Sequence, residues 1–127
     1  MHDFKIAERR QWSRRSSSIR ASFRVISGHD GSTSDVHQGL VTDMAQGGIR
    51  MQVKTIRAEG LHVSGQMSIS GWSTNSLRIE LEIPIRPPQK IEIAGTAEWI
   101  EKLPMSQEYI VGVSINLSRM KDQEKRL

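Results

Sequence analysis

Cysteine is absent from this 127-residue chain, which excludes disulfides, thiol nucleophiles and cysteine-based zinc sites. Aromatic residues make up only 5%, too few to line an extended stacking groove, so nucleic acid is an unfavoured partner. No apolar run approaches the roughly 18 residues of a membrane-spanning helix, and no membrane span is expected. Met1–Lys5 has no apolar stretch behind its charges, which argues against a secretory signal and makes the cytoplasm the expected location. The four histidines, His2, His29, His37 and His62, lack metal-ligand spacing. His29, Asp30, Asp35 and His37 share one loop, best read as solvated. No glycine-rich loop ends in Lys-Ser or Lys-Thr, and no serine has a nucleophile-elbow context. No catalytic constellation assembles, so neither enzyme activity nor a cofactor is expected.

What the chain does have is an uneven distribution of charge. Hydrophobic residues make up 36% and charged residues 25%, as in one ordinary soluble domain. The net charge of +4 conceals the asymmetry. Residues 1–24 carry seven basic side chains (Lys5, Arg9, Arg10, Arg14, Arg15, Arg20, Arg24) against Asp3 and Glu8, giving +5, and the rest of the chain sums to −1. A near-neutral body therefore follows an arginine-rich head.

The body alternates with period two. Leu77, Ile79, Leu81 and Ile83 alternate with Arg78, Glu80 and Glu82, predicting a half-buried strand that stops at Pro84. Ile91, Ile93, Gly95, Ala97 and Trp99 predict a second strand, with Trp99 in the core at its end. Tyr109, Val111, Val113, Ile115 and Leu117 predict a third. The connections are too short for crossover helices, so the strands are expected to be antiparallel. Upstream, Ile19–Val25, Leu40–Thr42 and Ile49–Val53 predict three more, with a polar loop at 27–35. Arg20 and Arg24 share the outer face of the first. Segment 56–75 suggests one or two strands interrupted by Gly60, Gly65 and Gly71, and gives no place to Trp72. Ser118 is a possible cap for a short C-terminal helix. The expected organisation is a flexible arginine-rich segment at 1–17, an all-β barrel at 18–118 and a helix or tail at 119–127.

Two motifs carry binding chemistry. Arg9-Arg10-Gln11-Trp12-Ser13-Arg14-Arg15 precedes the first strand without apolar periodicity. Guanidinium groups grip phosphate bidentately, stack on bases and reach the acceptors of guanine. A basic tail without specificity is the plainer alternative. Asp43-Met44-Ala45-Gln46-Gly47-Gly48 lies between two predicted strands. An aspartate there accepts hydrogen bonds from backbone amides or from a guanine N–H edge, and paired glycines let a ligand approach the backbone.

In this order and spacing, the motifs resemble the PilZ family of small β-barrels that bind cyclic di-GMP. Arg10-Gln11-Trp12-Ser13-Arg14 matches the family's Arg-x-x-x-Arg, with Glu8-Arg9 ahead of it. Asp43 and Gly48 match the ends of its Asp/Asn-x-Ser-x-x-Gly. Ile83-Pro84, Gly95-Thr96-Ala97-Glu98-Trp99 and Gly112-Val113-Ser114-Ile115 add to a likeness that spans about residues 8 to 118. The resemblance implies a six-stranded antiparallel barrel holding cyclic di-GMP between the arginine segment and the Asp43–Gly48 turn. The implied ligand residues are Arg9, Arg10, Arg14, Asp43, Ala45, Gly47 and Gly48. It also implies an arginine segment that orders on the ligand and relays the signal to an effector protein. Trp12 either stacks on a guanine or packs on the barrel. Ala45 stands where the family has serine, which removes a hydroxyl contact worth about 0.5–1.5 kcal/mol, or roughly two- to tenfold in affinity. An insertion or extra hairpin is expected at 56–75.

Overall fold

The structure is a computed structural model that describes residues 18–115. The arginine segment 1–17, the last two residues of the third predicted strand and the expected helix at 119–127 lie outside the described residues. Ten strands run in chain order: β1 Ile19–Ile26, β2 His37–Ala45, β3 Gly48–Val53, β4 Arg57–Ala58, β5 Leu61–His62, β6 Gly65–Ser68, β7 Gly71–Thr74, β8 Ser76–Ile83, β9 Gln89–Lys102 and β10 Tyr109–Ile115. Six of them close an antiparallel barrel in the order β1-β2-β3-β10-β9-β8, so the all-β expectation holds. Closure gives each barrel strand a neighbour on both sides, so the barrel sheet has no edge strand.

Alternation drives the closure. Ala21, Phe23 and Val25 of β1, Met51 and Val53 of β3, Leu77, Ile79 and Leu81 of β8, and Val111 and Val113 of β10 all turn inward and are buried. Burying a large apolar side chain contributes about 1.5–3 kcal/mol, so slipping any strand by one residue would exchange its core face for its wet face. Arg20 and Arg24 stay on the outside of β1.

Two β-bulges break this alternation, and each re-aims a side chain. In β2, Val41 pairs with Met51 but Asp43 pairs with Arg50, so Thr42 is an extra residue. Asp43 therefore leaves the inward series of Val41 and joins Arg50 on the outer face. Asp43 does not end the strand, as the sequence suggested; β2 runs on to Ala45. In β9, Ala97 pairs with Val113 and Trp99 with Gly112, leaving Glu98 as the extra residue. Trp99 is consequently not core. It is 41% exposed, while Ile100 turns in against the core. Ile91, counted on the same apolar face, is also exposed.

Segment 56–75 forms two small hairpins, β4–β5 and β6–β7, at the barrel end opposite the β2–β3 turn. Ala58 and Val63 from this segment are buried in the core and help to close that end. Asn75, wholly buried, fastens the segment: its Oδ1 accepts from Gly28 N–H at 3.0 Å and its Nδ2 donates to the His62 carbonyl at 2.7 Å. Glu59 ties the β4–β5 turn to β2, accepting from Asp35 N–H and sitting 3.1 Å from His37 Nε2. Trp72 lies across Gly65 and donates its indole N–H to Thr74 Oγ1. Ile69, at the tip of β6–β7, is fully out in solvent, and Met67 of β6 is largely exposed.

Candidate functional site

The two bulges build one row of outward side chains across four strands. Asp43 of β2 pairs with Arg50 of β3, Arg50 with Gly112 of β10, and Gly112 with Trp99 of β9. Gly112 is the position that allows the row to assemble. A Cβ there would overlap the Trp99 indole, so the ring lies across β10 toward Arg50. The Arg50 guanidinium carbon sits 5.6 Å from the indole centroid, a cation–π arrangement. On its other side, Arg50 Nη1 lies 3.8 Å from Asp43 Oδ2. Both members of that ion pair are solvent-accessible, so it contributes about 1 kcal/mol or less to stability. It acts mainly to orient the guanidinium.

Toward the barrel rim the next register row is made of small residues, Ala45, Gly48 and Ser114. Small residues flanked by Trp99 and Arg50 leave an outer recess of about 340 Å³, whose walls include Asp43 and Glu98. The β2–β3 turn that forms its lip consists of Gln46 and Gly47. Gly47 has φ of 85°, a conformation glycine adopts at little cost. Its carbonyl accepts from Ile115 N–H at 2.9 Å, which pins the lip to the end of β10. A second recess of about 320 Å³ lies on the far side of the Arg50–Trp99 pair, lined by Thr42, Glu101 and Ile110.

Asp43, Ala45, Gly47 and Gly48, named from the sequence, all line the first recess. Arg9, Arg10 and Arg14 lie outside the described residues. Sequence reasoning missed Arg50, Trp99, Gly112 and Ser114. Arg50 was within reach, being the first outward position after the Gly-Gly turn. Trp99 was not, because strict alternation puts it inside and the bulge has no sequence signature.

Chemically the recess suits a planar, donor-bearing ring. Trp99 and the Arg50 guanidinium offer flat surfaces for stacking, and the carboxylates of Asp43 and Glu98 accept N–H donors. Two carboxylates against one guanidinium make the described lining formally negative. Phosphate binding here therefore requires cations from another part of the chain. Among the described residues, no three histidine or carboxylate side chains gather as a metal site, and no helix is long and apolar enough to cross a membrane. Compared with protein-family models, curated proteins and solved structures, the chain gives no match.

Proposed function

We propose that the chain is a PilZ-like receptor for cyclic di-GMP, without catalytic activity of its own, that relays ligand binding to an effector protein. One observation carries this reading: the recess opens near the start of β1, and the arginine-rich segment immediately precedes β1 in the chain. Ile19, where β1 begins, pairs with Val41. Asp43, two residues beyond Val41 in β2, lines the recess. Arg14 is five residues before Ile19, a span of at most about 17 Å of extended chain, and Arg10 is four residues further away. Arginines attached at this point are within reach of a ligand lying on Asp43 and Gly48.

The chemistry divides accordingly. The barrel surface offers a base-reading set: a stacking pair, two carboxylate acceptors and exposed small residues. The head offers the phosphate-reading set that the negative recess lacks. Cyclic di-GMP presents both kinds of group, two guanines and two phosphates. Ala45 in place of serine weakens this fit by one neutral hydrogen bond and leaves every charged partner intact.

Titration calorimetry of the 127-residue chain with cyclic di-GMP tests the proposal. Binding at micromolar concentrations is expected, with Arg10→Ala, Arg14→Ala and Asp43→Ala each weakening it about tenfold or more, the effect of losing one charge-assisted hydrogen bond. Absence of binding to folded protein at tens of micromolar would reject it. That result would favour the alternative that Ala45 supports, a related module that binds a protein and no longer takes the nucleotide. Steep loss of affinity with salt for single-stranded nucleic acid would instead indicate a nucleic-acid tail.

A further inference from the structure

The Arg50–Trp99 pair stands between two recesses of similar size, of about 340 and 320 Å³. Their linings are alike in kind: each includes Arg50 and Trp99, and each includes a carboxylate. In the first these are Asp43 and Glu98; in the second it is Glu101. The register accounts for the second recess. Ile110 of β10 pairs with Gln52 of β3 on one side and with Glu101 of β9 on the other. The same bulge that turns Trp99 outward sets Glu101, two residues on, onto that outer face. Gln52 is already engaged, donating to Glu108 at 2.9 Å. No described residue bonds the Glu101 carboxylate. Thr42, the extra residue of the β2 bulge, adds a hydroxyl to the same recess.

We propose that the second recess is a second purine subsite, in which Glu101 accepts the paired N–H donors of a guanine edge and selects guanine over adenine. The inference rests on the cyclic di-GMP reading and extends it to a residue outside both motifs. The two guanines of one ligand then straddle the Arg50–Trp99 ridge, one on the Asp43 side and one on the Glu101 side. A carboxylate has two acceptor oxygens and matches the adjacent N1–H and N2–H of guanine. The corresponding adenine edge offers an acceptor where guanine offers a donor, and so faces the carboxylate with repulsion. Glutamine carries one acceptor and one donor and suits adenine better.

The test is calorimetry on the full chain and on Glu101→Gln with three ligands: cyclic di-GMP, cyclic di-AMP and the mixed cyclic GMP–AMP. Wild type is expected to prefer cyclic di-GMP strongly. Glu101→Gln is expected to lose about 10- to 100-fold for cyclic di-GMP, the range for one charge-assisted interaction, and to lose less or gain for the mixed ligand. A change in this preference is a readout that general loosening of the barrel does not produce. Glu82→Gln, on an exposed position of β8, serves as the control and should leave all three affinities unchanged. If wild type binds cyclic di-GMP and Glu101→Gln matches it within twofold, the second subsite is rejected while the function stands. If wild type binds none of the three, the function is rejected and the subsite with it.

Discussion

His62 shows how a single side chain ties the stability of this protein to pH. Its Nδ1 accepts from Ser64 N–H at 3.1 Å and lies 2.8 Å from Ser64 Oγ, an arrangement open only to the neutral ring. Burial, with the nearby Arg57 charge as the smaller cause, lowers its pKa from the ordinary value of 6.5. As pH falls through 6.5 the unfolded chain takes up the proton before the folded one, so folding loses stability with acidification. Above about pH 7 the neutral ring makes its full contribution, and the loss levels off once pH is below the lowered folded value. Urea midpoints measured between pH 7.5 and 5 should fall for wild type. They should fall less for His62→Asn, whose side-chain oxygen retains the acceptor without titrating in that range. Equal slopes for the two proteins would remove His62 from this account. Asp30 and Glu59, whose pKa values are also lowered, by hydrogen bonds from Ser32 and His37 respectively, lose their contributions only below the usual carboxylate range, outside this window.

Among the elements, β2 and β9 depart from regularity, and the site depends on those departures. The barrel strands Ile19–Val25, Ile49–Val53, Leu77–Ile83 and Tyr109–Ile115 were legible because they alternate strictly, and burial on one face leaves little choice of register. By contrast, β2 showed only at Leu40–Thr42 and β9 only up to its bulge. The β2–β3 turn was legible from Gly47 and Gly48, although it is confined to Gln46 and Gly47 and Asp43 lies within β2. The extra residues Thr42 and Glu98 were not, since a bulge is set by how a strand must bend to keep pairing around a closed barrel. Without them the sequence places Asp43 at a strand end and Trp99 in the core. Segment 56–75 resisted reading for a related reason: its strands are two to four residues long, shorter than any alternation can reveal. Deleting Glu98 tests the importance of the bulge. With Glu98 gone, Ala97 can stay on Val113, Trp99 on Gly112 and Ile100 on Val111, so Trp99 remains outside and what is lost is the local bend of β9. Closing the barrel on a straightened β9 should lower the melting temperature by about 4 °C or more, the effect of roughly 1 kcal/mol in a domain of this size, whereas Glu98→Ala, which keeps the bulge, should stay within about 2 °C of wild type. A deletion variant that melts like wild type would show the bulge to be dispensable.

At the scale of the whole molecule the barrel has two unlike ends. One carries the Gln46–Gly47 lip, the recess and the start of β1, and β10 finishes there at Ile115 beside the Gly47 carbonyl. The other is stoppered by the two small hairpins and held by Asn75. The strand pairings described between Ile19 and Ile115 suffice to close the barrel. A chain beginning at Ser18 should therefore keep its far-ultraviolet circular dichroism and a cooperative melt within about 5 °C of the full chain. Under the proposed function it should bind cyclic di-GMP at least about a hundredfold more weakly, since two or more charge-assisted phosphate contacts go with the head. Truncation that leaves affinity intact would assign ligand binding to the barrel alone.

The β6–β7 tip also has a practical value. Ile69 stands clear of the barrel, at the end remote from the recess, in a chain with no cysteine of its own. Ile69→Cys would create the molecule's sole thiol, a unique point for a dye, a spin label or a sensor surface. Tethered there, the protein would present its recess and the adjoining start of β1 unobstructed to solution, and Trp99 would serve as an optical probe within the site.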